Sequence, residues 1–193
     1  MPPKKIVIIT APSGSGKTTL VRQLMRACPQ LGFSVSACTR PPRGAEVDGR
    51  DYHFLTEARF RELIDQNAFV EWEMVYEGKY YGTLASELDR IWAAGCYPLV
   101  DIDVKGALAL QEAFPDTSLT LFIQTPSLEV LRQRLTLRGT ETPESLDERL
   151  SKATFELSIA PQFDRIIVND DLDYATEELV GVVQDFLAVA PVV

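Results

Sequence analysis

The segment Ala11-Pro12-Ser13-Gly14-Ser15-Gly16-Lys17-Thr18 carries residue types that bind phosphate. Glycines let the backbone curl until several N–H groups point into one concavity. Lys17 can reach the outer phosphates of a nucleotide, and the Thr18 hydroxyl can ligate Mg2+. The spacing is that of a Gly-x-x-x-x-Gly-Lys-Thr phosphate loop, with Ala11 where the first glycine is usual. A methyl group is small and the later residues build the nest, so phosphate binding is expected to survive. Thr19 reads as a helix residue rather than a ligand. The bland alternative is a Gly-rich turn that only caps a helix.

Such a loop works only between a strand and a helix. Lys4 to Thr10 (KKIVIIT) is a β-branched run that reads as a strand. Lys17 to Ala27 spaces Leu20, Val21, Leu24 and Met25 as one helical face, and Pro29 closes it. The start of that helix adds partial positive charge to the loop. Farther on, Val100-Asp101-Ile102-Asp103 ends a second apolar strand in acid. An acid there can face a metal or its water shell, although strand ends are commonly acidic.

The remaining elements follow from pattern. Phe33–Cys38 alternates as a strand would, 39–51 is a loop, and 57–66 is a short helix. Ala68–Val75 reads as a strand, Gly78–Gly82 as a turn, and 84–94 as a helix. Strands are expected at 97–102, 119–124 and 165–168, and helices at 104–113, 128–138, 145–158 and 175–187. Apolar strands alternating with helices predict an α/β fold, a parallel sheet covered on both faces. The stretch from Phe33 to Gly82 breaks that rhythm and reads as an inserted β-rich subdomain.

Composition narrows the function. The chain has 193 residues, 46% hydrophobic, and suits one domain with a sizeable core. A net charge of −9 argues against general nucleic-acid binding, yet a small phosphate ligand needs only a few local cations. Cys28, Cys38 and Cys96 lack metal spacing and read as reduced thiols. With His53 the single histidine, a His-based metal site or a Ser-His-Asp triad is poorly supplied. No run of eighteen apolar residues is present, and Ile6–Ile9 is too short for a signal segment. The expectation is a soluble cytoplasmic protein with no membrane partner.

The acceptor side is carried by further motifs. They are Phe33-Ser-Val-Ser36-Ala-Cys-Thr39-Arg40-Pro-Pro-Arg43-Gly-Ala-Glu46-Val-Asp48-Gly49-Arg-Asp51-Tyr52-His-Phe54, Phe69-Val-Glu71-Trp72, Tyr80-Tyr81-Gly82-Thr83, Asp101-Ile-Asp103-Val-Lys-Gly106, Arg138-Gly139-Thr140-Glu141 and Val168-Asn169-Asp170-Asp171. In this order they resemble the guanylate kinase family over nearly the whole chain. The resemblance implies a phosphate-loop kinase fold with core segments 1–32, 84–126 and 160–193, a GMP-binding subdomain at 33–83 and a helical lid at 127–159. It implies transfer of a phosphoryl group from ATP to GMP, and to dGMP, with Mg2+. Residues 11–19, Arg134 and Asn169 would bind ATP. Ser36, Arg40, Arg43, Tyr52 and Tyr81 would grip the GMP phosphate. Glu71, Thr83 and Asp103 would contact guanine. Lys17, Arg138 and Arg149 would stabilise transferring charge, and Thr18, with Asp101 acting through water, would hold the metal. The partners expected are ATP and GMP, with a homodimer left open.

The residue chemistry agrees. Arginines offer paired donors to a phosphate dianion. Guanine presents donors at N1 and N2, which suit a carboxylate, whereas the bare acceptor at N1 of adenine would repel one. Read alone, Glu71 could equally be an exposed strand residue, and Tyr80 reads as packing. The rivals are kinases with AMP, UMP or shikimate-like acceptors, a peptide-binding scaffold module, and a phosphate-loop GTPase or ATPase switch. Cys38 departs from the family pattern, which commonly has a hydroxyl residue there.

Overall fold

A computed structural model describes residues 4–137 and 143–189. A first, wholly parallel sheet has the order β2-β7-β1-β8-β9, built from Leu31–Phe33, Tyr97–Asp101, Ile6–Thr10, Ser118–Gln124 and Arg165–Val168. Helices α1 (Lys17–Ala27) and α7 (Leu172–Ala188) cover one face, and α3 (Ala85–Ala93) and α4 (Val104–Ala113) cover the other. Strand alternation explains this. Val7 and Ile9 point into the core beneath α1 and α7, while Ile6 and Ile8 join Leu88, Val104 and Leu110 on the opposite face. All four are fully buried, which is why β1 reads as a continuous apolar run.

A second sheet, order β4-β3-β6-β5, holds His53–Phe54, Ala37–Cys38, Lys79–Leu84 and Phe69–Tyr76. Its own small core is Ala37, Phe60 and Tyr80, with Phe60 supplied by α2 (Glu57–Asp65). The rings of Phe69 and Tyr80 lie 4.3 and 5.3 Å from that of Phe60. Thr56 caps α2 by accepting from the Arg59 N–H. Helices α5 (Leu128–Leu137) and α6 (Pro143–Ile159) pack through Leu131, Leu135, Leu150 and Ala153.

Two readings of the sequence need correction. Phe33–Cys38 is not one strand. The chain leaves the parallel sheet at Phe33, where Ser34 N–H still donates to the Leu99 carbonyl, and enters the second sheet at Ala37. Alternation specifies faces but not which sheet a strand joins. Of the expected turn Gly78–Gly82, Lys79–Gly82 is likewise strand. The chain reverses at Glu77-Gly78, with Gly78 at φ 70°, and β6 begins at Lys79. Glycines flanking Tyr80-Tyr81 imitate a turn signal, whereas Gly82 sits in the strand opposite Trp72.

Because Phe60 is the middle of the small core, Phe60→Ala is expected to cost about 3–5 kcal/mol. A urea midpoint that barely moves would show that the second sheet does not depend on it.

Candidate functional site

The loop after β1 is where the chain must end a strand and open a helix within six residues. Gly14 and Gly16 take φ values of 97° and 89°, a left-handed region that L side chains rarely adopt. Gly16 is the N-cap of α1, and Thr19 and Leu20 N–H groups donate back to its carbonyl. A Cβ on Gly16 would stand 2.2 Å from Asn169 Nδ2, and one on Gly14 would meet Leu131 and Leu135 of α5 at 3.0 Å. The loop is therefore braced from behind. Asn169, buried at the end of β9, donates to the Ser15 carbonyl at 2.7 Å, and Arg134 of α5 donates to the Asn169 carbonyl at 2.9 Å.

In front of the loop lies a cavity of about 670 Å³. Ala11, Pro12, Ser13, Gly14, Gly16, Lys17, Thr18 and Thr19 form one wall. Arg43 from the 39–51 loop and Ser145, Glu148, Arg149, Lys152 and Glu156 of α6 form the other. Arg149 closes the gap by donating to Ser13 Oγ at 2.7 Å. Lys17 ion-pairs with Asp101, the last residue of the neighbouring strand β7. That contact follows from the topology, since β1 and β7 are adjacent and end together, with Ile9 opposite Asp101. Ligands of open parallel sheets bind at such carboxyl ends.

A second cavity of about 500 Å³ runs from the same lysine toward the second sheet. Ser36, Tyr52, Glu71, Tyr81, Asp101 and Asp103 line it. Asp103 also caps α4, its Oδ1 accepting from Gly106 N–H at 2.9 Å. Glu71 accepts from the wholly buried Thr83 hydroxyl at 2.6 Å. Its other oxygen comes within 2.8 Å of where a Cβ on Gly106 would stand, so α4 admits the carboxylate only because that residue is glycine. Burial pushes the Glu71 carboxyl above its ordinary value, the Thr83 hydrogen bond works against this, and the Asp103 charge adds to it. Burial likewise pushes the Tyr52 hydroxyl up.

The residues singled out in the sequence thus fall into groups. Lys17, Thr18 and Asp103 border both cavities. Ser36, Tyr52, Glu71 and Tyr81 meet in the second, whereas Tyr80 is buried against Phe60. Thr83 lies behind Glu71 rather than in the cavity wall. Arg40 is also set back: Glu46 binds it through two hydrogen bonds of 2.6 and 2.8 Å, and its guanidinium stands 4.7 Å over the Tyr52 ring. Arg40, followed by the Arg43 N–H, lowers the Glu46 carboxyl to about 2. Arg43 faces the loop cavity instead of joining Ser36 and Tyr81. Ser15, Arg134 and Asn169 line neither cavity; Asn169, held by Arg134, buttresses the loop at the Ser15 carbonyl. Arg138 lies outside the described residues. Sequence reasoning missed Lys152 and Glu156. The spacing 145, 149, 152, 156 on one predicted helix was the available signal, since residues three and four apart share a face.

A guanylate kinase family model matches residues 3–186 of the chain. A guanylate kinase from Bacteroides thetaiotaomicron is 45% identical over 183 residues, covering 95% of this chain and 90% of that protein. One from Salinibacter ruber is 47% identical over 188 residues, covering 97% and 100%. The crystal structure of guanylate kinase from Anaplasma phagocytophilum matches with a TM-score of 0.76 at 26% identity, over 98% of this chain and 89% of that one.

Gly16→Ala would force a left-handed alanine into the Asn169 amide. A loss of about 1–3 kcal/mol is expected, read as a fall in thermal midpoint of about 2–4 °C per kcal/mol. An unchanged midpoint would mean that the loop relaxes freely.

Proposed function

The chain belongs to the guanylate kinase family, and from that membership we propose that it passes the γ-phosphoryl group of ATP to GMP, and to dGMP, giving ADP and the diphosphate. The observation that carries the assignment is the pair of cavities meeting at Lys17 and Thr18, one walled by the phosphate loop and the other by a buried carboxylate. ATP lies along residues 11–19 beneath α6, with 127–159 acting as a lid. GMP lies in the second cavity, within the 33–83 subdomain. Its guanine N1 and N2 donors face Glu71, which Thr83 orients, with Asp103 beside it. Its phosphate meets Ser36, Tyr52 and Tyr81, and Arg40, held by Glu46, approaches behind Tyr52. Arg43, on the loop cavity, then serves the transferring end rather than the GMP phosphate alone.

The donor set fits Mg2+: the Thr18 hydroxyl, on both cavities, is a hard oxygen ligand, and the Asp101 carboxylate, on the second, would act through water, since Mg2+ takes few protein ligands beside phosphates and water. Bound with ATP, the ion neutralises charge on the phosphate oxygens. The chain's own residues do the rest. Loop amides and Lys17 hold the triphosphate, Arg149 and Arg138 bring lid cations to it, and closure excludes water as a competing acceptor. The acceptor phosphate is already largely ionised near neutral pH, so no general base is needed. Such chemistry serves purine nucleotide metabolism and fits a cytoplasmic enzyme. No helix among the described residues is long and apolar enough to cross a membrane.

With ATP and Mg2+, kcat/KM for GMP is expected to exceed that for AMP, UMP or CMP by at least about 10³-fold, because the wrong base leaves buried polar groups unpaired. Equal turnover with AMP would keep the kinase reading and discard the guanine pocket. No turnover with any acceptor would favour a binding module. Glu71→Gln should lower kcat/KM for GMP about 10–100-fold, the worth of a hydrogen bond to a charged group.

The pH dependence has two opposite signs. A carboxyl with a raised folded pKa stabilises the fold fully below the ordinary value of 4.5 and loses that contribution as pH rises through the raised value. Guanine recognition needs the ionised form, so KM for GMP should climb as pH falls through that same window. Glu71→Gln should flatten both profiles, and a parallel climb persisting in the variant would place the titrating group elsewhere.

A further inference from the structure

The two cavities share four residues, Lys17, Thr18, Asp103 and Lys152. Only Lys17 and Lys152 among them are cations, and they come from different elements, α1 and α6. On the assignment of one cavity to ATP and the other to GMP, the shared border is where the phosphoryl group crosses. A bond forms there between a GMP phosphate oxygen and the γ-phosphorus, and the bond from that phosphorus to the β–γ bridging oxygen breaks, the electron pair leaving with ADP. No proton needs to move, but negative charge spreads over three equatorial oxygens and the leaving oxygen.

We infer that Lys152 is a catalytic residue whose ammonium contacts the transferring group from the lid side, facing the charge that Lys17 meets from the loop side. The ion-pair partner of Lys152, Glu156, lies one helical turn on at 3.8 Å, and the Lys152 side chain is 61% exposed. A surface lysine paired at i, i+4 ordinarily contributes little to stability, but this one borders both substrate cavities. Glu156 is itself buried and lines the loop cavity, and burial pushes its carboxyl up, with the Lys152 charge opposing. A desolvated carboxylate beneath the lysine anchors a positive charge at the border. Lys17, by contrast, is paired with Asp101. Helix α6 would then bring a second cation to the reaction beside the one that the loop supplies.

The test is steady-state kinetics of the full chain with ATP, Mg2+ and GMP, comparing wild type with Lys152→Met and Lys152→Arg. The methionine variant removes charge while keeping length, and the exposed site predicts a thermal midpoint within about 2 °C of wild type. Expected is a fall in kcat of about 10²-fold for Lys152→Met, with both KM values within about threefold and most of the rate restored by Lys152→Arg. That split marks an interaction made in the transition state rather than in substrate binding. A kcat within twofold of wild type, or a rise in KM alone, overturns the inference while an active wild type keeps the proposed function. A wild type that fails to phosphorylate GMP overturns the assignment of the cavities and this inference with it.

Discussion

Everything in the site hangs on a backbone turning through left-handed conformations at Gly14 and Gly16 while staying clamped from behind. The turn aims the amides and opens α1, and it is tolerated because neither residue carries a Cβ. The clamp consists of Asn169 on the Ser15 carbonyl, Arg134 on the Asn169 carbonyl, and Leu131 and Leu135 over Gly14. Two separate stretches of chain, α5 and the end of β9, therefore converge on one loop. A loop fixed in this way presents its donors without reorganisation, which is what electrostatic stabilisation of a transition state requires. It also links α5, and through it helix α6, to the strand end at β9.

The second theme is how an acidic chain keeps cations ready for phosphate. Lys17 is paired with Asp101 and Arg40 with Glu46. Each carboxylate fixes where its cation stands. Each also competes with an incoming phosphate, so binding exchanges one anion for another instead of neutralising a lone charge. Buried, unpaired cations would be costly. The net charge of −9 is then compatible with a phosphate site, because what matters is the local arrangement at the cavity border.

Legibility followed the range of the interactions. The phosphate loop was readable because its chemistry is contiguous: glycines, lysine and threonine act within eight residues, between a strand and a helix that announce themselves by period. The parallel sheet was readable from its apolar runs, but its order was not. The split at Ser34–Ser36 between two sheets was invisible, since alternation is identical in both. Glu71, Thr83 and Asp103 come from three separated segments, and only the resemblance to a family grouped them beforehand, while the room that Gly106 leaves for Glu71 was not read at all. Arg134 and Asn169 were matched to ATP by resemblance, and their hydrogen bonds also brace the loop from behind, a placement that no motif spacing could give. Lys152 and Glu156 lie one turn apart on α6, in plain helical register with Arg149. They went unread because a charged residue on a long amphipathic helix looks like solvated surface until the helix has something to face.

The pocket around Glu71, proposed to take guanine, shows what a buried carboxylate costs and what it gains. Desolvation opposes ionisation of Glu71, and the neighbouring Asp103 opposes it further. The Thr83 hydroxyl offsets part of this by donating to one oxygen, and it holds the group in one orientation. Gly106 supplies room on the α4 side, where any side chain would displace the carboxylate. The site is thereby left with acceptor capacity that a ligand bearing two adjacent N–H donors would satisfy. A base with a single donor, or with an acceptor in that place, would leave a desolvated charge unmet, and the penalty of leaving it so exceeds the gain from any one contact made well. Discrimination at this pocket therefore comes from the cost built into Glu71 before any substrate arrives.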